Sequence, residues 1–162
     1  MGSPQIVSRQ SEIYKNKTML IGEFTHALDD KKRISLPSKF RREIGKKIVV
    51  TYGLDKCLWL FPIEAWKNLS SKLANLGVGH SDNRQFTRAM FGGAGEIDVD
   101  SAGRILLPEY LCDHAALRSK VVFVGIHDRV ELWNEKEWQV HKQKALSKAD
   151  ALAEKLGNLG TL

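Results

Sequence analysis

The chain has 162 residues, of which 43% are hydrophobic, with 25 Lys/Arg against 19 Asp/Glu, a formal net charge of +6 and two cysteines. That length and apolar content support a domain with a real core and exclude a low-complexity chain. No run is apolar and long enough to span a membrane, no apolar signal segment opens the chain, and Cys57 and Cys112 form no Cys-x-x-Cys, a pattern that fits free thiols in a reducing, cytosolic setting.

In chain order, residues 1–18 are polar and aperiodic and read as a flexible extension or a remnant of cloning. Leu20–Leu28 is a strand candidate that ends at Asp29, and extended structure resumes over Arg33–Leu36. Pro37 suits a first helical position, Ser38–Ile44 makes a short helix, and Gly45 is placed to stop it. Ile48–Tyr52 is a β-branched and aromatic strand, Gly53–Lys56 a turn, and Cys57–Phe61 a further strand. Pro62 then opens an amphipathic helix with Trp66, Leu69, Leu73 and Leu76 on one face. Ser81 or Asp82 can cap a second helix that closes at Gly92-Gly93, a bridge with no counterpart later in the chain.

After the bridge the pattern returns. Arg104–Leu107, Pro108, a short helix over Glu109–His114, a strand over Val121–Val124, a turn at Gly125–Asp128 and a strand over Val130–Trp133 repeat the first half. Asn134 can cap one long helix carrying Trp138, Leu146, Ala149, Leu152, Ala153 and Leu156 as a stripe. The repeat is visible in the letters. Asp29, Arg33, Ile34, Leu36 and Pro37 recur as Asp100, Arg104, Ile105, Leu107 and Pro108, at an offset of 71. Two units this short cannot each bury a core, so they predict one fused, pseudo-symmetric fold. The boundaries expected are a first unit over 19–66, linking helices over 67–93, a second unit over 94–138, and a C-terminal helix and tail over 139–162.

The charge is unevenly placed. Asp29–Lys47 holds eight Lys/Arg and three Asp/Glu, a local +5, whereas Asp100–Lys120 holds three of each. A basic patch suits a polyanion, nucleic acid being the usual one. Within each repeated loop, Asp can accept backbone N–H bonds and fix the turn, and can also hold the Arg in a defined orientation. A fixed guanidinium fork is what recognition of phosphate or guanine requires. The competing reading is a turn-stabilising ion pair without a ligand. The loop's recurrence, and Lys31 and Lys32 at the tip of the first copy, favour the ligand.

The paired motifs Leu28-Asp29-Asp-Lys-Lys-Arg33-Ile-Ser-Leu-Pro37 and Val99-Asp100-Ser-Ala-Gly-Arg104-Ile-Leu-Leu-Pro108, with Phe91-Gly-Gly-Ala94 ahead of the second, resemble those of the MraZ family of the SpoVT/AbrB-like group. The resemblance covers residues 19–138 and implies an α+β fold, mostly β with short helices. Its two tandem units would form a double-split β-barrel, to which the amphipathic helices are added. It implies a bacterial transcription regulator acting on double-stranded DNA, at promoter direct repeats upstream of its own cell-division and cell-wall operon. It also implies a ring-like homo-oligomer in the cytoplasm and nucleoid, with no cofactor, membrane or small-molecule substrate. Carried over, the DNA-binding loops comprise Asp29, Lys31, Lys32 and Arg33 in the first copy, and Asp100, Ser101, Gly103 and Arg104 in the second. The family usually has Gly before the Arg. Gly103 conforms, but Lys32 does not, so the first loop is either strained at Lys32 or turns differently.

Other functions fit less well. The five histidines are scattered without metal-ligand spacing, and no Gly-rich phosphate loop or nucleophile elbow is present, so the chain does not read as an enzyme. Asp98 and Asp100 share a strand face but lack a third ligand. The alternatives are an oligomeric protein-interaction module using the tryptophans and amphipathic helices, or an AbrB-type antitoxin, against which the fused double unit and the helical tail argue.

Overall fold

Alternating burial makes Leu20–Ala27 the first strand (β1) of the computed structural model, which describes residues 19–162. The reading of residues 1–18 as an extension lies outside them. After β1 come β2 (Arg33–Ser35), α1 (Ser38–Ile44), β3 (Lys47–Tyr52), β4 (Leu58–Pro62), α2 (Ile63–Ala74) and α3 (Ser81–Gly92). The second half repeats the series as β5 (Gly95–Asp98), β6 (Arg104–Leu106), α4 (Glu109–His114), β7 (Lys120–His127), β8 (Arg129–Asn134), α5 (Glu135–Ser147) and α6 (Ala149–Asn158). The single long C-terminal helix expected from the sequence is therefore two. Lys148, at φ −108 and ψ 4, leaves the helical region, and Asp150 in the first turn of α6 suits a new helix N-terminus. The bridging helix α3 thus gains a counterpart in α6, and the repeat extends further than the sequence suggested.

The fold class is α+β, with antiparallel pairing throughout. Six strands form one sheet in the order β1-β7-β8-β4-β3-β5, and β2 pairs with β6 in a separate ribbon. The order explains how two short units share one core. Replacing each strand by its counterpart in the other half leaves the order unchanged when it is read from the opposite edge. Each unit lends its first strand to the other unit's third strand, β1 to β7 and β5 to β3. In the ribbon, Ile34 pairs with its own counterpart Ile105, which places a local pseudo-two-fold axis between them. Neither half can complete its pairing alone, so the halves fold together.

The main core lies between the sheet and the short helices. Ile34 and Ile105 enter it from the ribbon, Phe40 and Ile44 from α1, and Leu111 and Cys112 from α4, all at most 3% exposed. Leu58, Leu60, Val130 and Leu132 meet them from the paired central strands. Both short helices begin one residue after a proline. Pro37 and Pro108, at φ −53 and −57, occupy the position just before the helix rather than its first turn. Gly45 does end α1, but at φ 82 and ψ −162, a positive-φ conformation open to glycine rather than the left-handed helical one expected of a helix stop.

Other boundaries also differ from expectation. Neither Ser81 nor Asp82 caps α3, whose capping position is His80 without a side-chain bond. The turn expected at Gly125–Asp128 is shorter. Strand β7 runs on to His127, which takes φ 63 in a tight His127-Asp128 turn. Gly125 sits inside the strand because β1 presses on it: a Cβ there would lie 2.6 Å from the Ile21 nitrogen and from the Leu20 carbonyl carbon. Asn134 does cap α5, its Oδ1 accepting from Lys136 N (2.9 Å) and Glu137 N (3.2 Å). Helix α5 covers a second apolar cluster of Cys57, Val122, Val124 and Trp133, with Trp59, Ile126 and Trp138 packed against it. It is clasped to β1 through Glu23, which accepts from Trp138 Nε1 (2.7 Å) and Lys142 Nζ (2.9 Å). Among the described residues no helix is long and apolar enough to cross a membrane.

Candidate nucleic-acid interface

Each repeated loop joins the first strand of its unit to the β2–β6 ribbon, and both loops have the same construction. In the first, the Asp29 carboxylate takes three bonds. Oδ1 accepts from Lys31 N (2.9 Å) and Arg33 N (2.9 Å), and Oδ2 accepts from Arg33 Nε (2.8 Å). In the second, Asp100 Oδ1 accepts from Ala102 N (2.9 Å) and Arg104 N (2.9 Å), and Oδ2 accepts from Arg104 Nε (3.0 Å). Main-chain bonds close the turns, from Lys32 N to Asp29 O (3.0 Å) and from Gly103 N to Asp100 O (2.9 Å). The backbone N–H groups of Arg33 and Arg104 are the chief reason both carboxyls are held below the ordinary aspartate range, with the guanidinium bonds adding to it. Each Asp is thus an ionised brace for its Arg.

The question left open at Lys32 is answered. Lys32 stands at φ 62 and Gly103 at φ 77, so both loops make the same turn and the lysine is strained in it. Its carbonyl accepts from Leu107 N (2.8 Å), and the Gly103 carbonyl accepts from Leu36 N (2.9 Å). Each turn is therefore tied to the strand leaving the other.

The ribbon decides where the arginines stand. Arg33 pairs with Leu106 and Ser35 with Arg104, while Ile34 and Ile105 point into the core. Because side chains alternate, Arg33, Ser35, Arg104 and Leu106 share the outward face. Arg33 and Arg104 are diagonal neighbours on it, about 7–8 Å apart between Cα atoms. Their side chains are 40% and 43% exposed, so each stays reachable although braced. The brace uses Nε, and among the described residues neither terminal Nη pair has a partner. That leaves two N–H edges facing outward, the arrangement that can take a phosphate or the O6/N7 edge of guanine.

Of the other residues singled out from the sequence, Lys31 and Ser101 are exposed at the loop tips and Lys32 is half-buried. Gly103 is buried, for a reason the sequence did not disclose. The guanidinium of Arg41, on α1 of the first unit, lies over it, and a Cβ at Gly103 would fall 2.5 Å from Arg41 Nε and Cζ. Arg41 is held there by a bond from its Nε to Leu36 O (3.0 Å). Lys39, on the same helix, instead lies over the Phe24 ring at 5.9 Å. The suspected Asp98–Asp100 pair is not a site. Asp98 faces Lys47 at 3.9 Å, and Asp100 is taken by Arg104.

A family model described as "MraZ protein, putative antitoxin-like" matches the chain twice, over residues 19–89 and 90–159. The chain belongs to the MraZ family. The "Transcriptional regulator MraZ" of Heliobacterium modesticaldum is 44% identical over 138 residues, covering 85% of this chain and 96% of that protein. Those of Caldanaerobacter subterraneus subsp. tengcongensis and Clostridium acetobutylicum are 41% and 39% identical, over 86% and 88% of this chain and 98% and 99% of theirs. The two MraZ matches fall one on each half, so the family relation and the internal duplication coincide.

Proposed function

We propose that this chain is a sequence-specific, DNA-binding transcriptional regulator that grips double-stranded DNA through its two Asp-x-x-x-Arg loops. The observation that carries the reading is the outward face of the β2–β6 ribbon, with Arg33 and Arg104 each braced through Nε and, among the described residues, free at Nη. The major groove of B-DNA admits a two-stranded ribbon, and Arg is the usual reader of guanine there. Lys31 and Lys32 supply phosphate contacts, which add affinity and salt dependence but little sequence information. Ser101, exposed at the tip, lets the second loop approach closely, and Gly103 forms the turn that carries it. Asp29 and Asp100 orient the arginines and do not face DNA, since a free carboxylate is repelled by phosphate. The names of the relatives, transcriptional regulators, support the same reading.

In this proposal the units over 19–66 and 94–138 act as one double-split barrel, with the helices over 67–93 and the tail over 139–162 around it. The chain assembles into a ring in the bacterial cytoplasm, associated with the nucleoid. Head-to-tail neighbours face the same way, which suits direct repeats in the promoter of its own cell-division and cell-wall operon. Methylation interference on that upstream duplex tests the reading, because a methyl group on guanine N7 blocks an arginine contact. Interference is expected at guanines recurring with a fixed spacing, and part of it should vanish in Arg33→Ala or Arg104→Ala. Interference no stronger than on a scrambled duplex would overturn the proposal.

A further inference from the structure

We propose that Arg41 is a DNA-contacting residue of the second loop, supplied to it by the first unit. The inference rests on the loop reading above and extends it to a residue outside both motifs. The starting point is an asymmetry. The first loop has a cation of its own at the left-handed position, Lys32, whereas the second has Gly103 there and a neutral tip of Ser101 and Ala102. Read from the sequence alone, the copies should differ in their hold on a polyanion.

The structure removes most of that difference. The space a side chain at position 103 would use is filled by the Arg41 guanidinium, whose Nη1 lies 2.8 Å from where a Cβ would stand. The Nε bond to Leu36 O sets the plane of the fork, and that strand segment is itself tied to the loop by Leu36 N donating to Gly103 O. Among the described residues, Arg41 Nη1 and Nη2 have no hydrogen-bond or ion-pair partner. Arg41 is thus braced through Nε and open at Nη, as Arg33 and Arg104 are, but by a main-chain carbonyl rather than a carboxylate. Among the described residues no acidic group pairs with it.

The other half reverses the arrangement. The counterpart of Arg41, at the offset of 71, is Cys112 on α4, fully buried and uncharged. The small buried residue goes with the loop that has Lys32, and the long cation goes with the loop that has glycine. At this one position each loop therefore presents a cation beside its braced Arg, once from its own turn and once from the other unit's helix, and Lys31 remains as an extra cation of the first loop. An Arg whose only task was to cap a strand end would not need its loop partner to lack a side chain. The glycine at 103 serves both the turn and the space for Arg41.

The test is fluorescence anisotropy on the duplex from upstream of the chain's own operon, against a scrambled duplex, across a salt series. Wild type, Arg41→Gln, Arg41→Lys, Arg104→Ala and Arg42→Ala are compared; Arg42 is the exposed neighbour on α1. Removing one phosphate contact lowers the salt slope by about 1. Arg41→Gln should show that fall and Arg41→Lys should keep most of the slope, while Arg42→Ala stays near wild type. A double variant, Arg41→Cys with Gly103→Lys, clears the space over position 103, builds the first loop's arrangement into the second and should recover the slope. If wild type prefers its own duplex and Arg104→Ala weakens that preference while Arg41→Gln binds as wild type does, Arg41 is no contact and the proposal falls alone. Equal losses from Arg41→Gln and Arg42→Ala would also overturn it, because they would mark a diffuse basic surface. If wild type does not prefer its own duplex, the loop reading falls and takes this one with it.

Discussion

Lys32 holds a backbone conformation that glycine accepts without cost, in a turn whose second copy does use glycine. Lys32→Gly should therefore stabilise the fold and weaken its function. A side chain in the left-handed region costs about 1–2 kcal/mol. Glycine returns about 0.4–1 kcal/mol of that through the greater freedom of the unfolded chain. The net gain expected is about 0.5–1 kcal/mol, which for a chain of this size raises Tm by about 1–4 °C. Lys32→Ala keeps the Cβ and so keeps the strain, while it removes the charge and any repulsion from Lys31 and Arg33. Calorimetric melts of the three proteins at one protein concentration separate the effects. Only the glycine variant should melt higher, and both variants should lose about one unit of salt slope on DNA. An alanine variant that gains as much as the glycine variant would mean that charge, not backbone strain, sets the cost. A glycine variant that melts lower than wild type would refute the reasoning outright.

Other positions carry consequences of comparable size. Gly125→Ala drives a methyl group into the backbone of β1 at Leu20–Ile21, so denaturant titration should show a loss of about 2–3 kcal/mol. Thr51 is fully buried and donates from Oγ1 to Met90 O (2.8 Å), fastening α3 to β3; Thr51→Val should cost about 1–2 kcal/mol and speed hydrogen exchange at the end of α3. Glu23 is held below its ordinary value of 4.5, chiefly by the bond from Lys142, against burial that pushes the other way. A depressed carboxyl contributes stability above its ordinary value, and that contribution is lost as pH falls through the lower folded value. Trp138 fluorescence should accordingly report release of α5 only below about pH 4.5, and Glu23→Ala should remove that acid step.

The parts of this architecture that the sequence discloses are those punctuated locally. Pro37 with Gly45, and Pro108 with His114, bracket the two short helices, and both spans agree with expectation to the residue. The loops are legible for a similar reason, since a carboxylate four residues before an arginine at a strand end has few other uses. What stays hidden depends on distant backbone. The exchange of first strands between units involves pairings such as Phe24 with Phe123, which no local pattern encodes. Gly125 looked like a turn residue, yet it answers to the close approach of β1. In the sequence Arg41 is one of the eight cations between Asp29 and Lys47, with nothing to set it apart. Only the fold reveals that it fills the space left by Gly103, although an offset of 71 already set it against Cys112.

The central claim is that the braced arginines read DNA, and the most direct measurement is the preference of the protein for its own upstream duplex over a scrambled one. Anisotropy titrations at several salt concentrations would compare wild type with Arg33→Ala and Arg104→Ala. The account predicts a wild-type preference, of which either variant loses about 1–3 kcal/mol. Equal affinity for both duplexes, with a steep salt slope in all three proteins, would contradict it and leave only a basic surface.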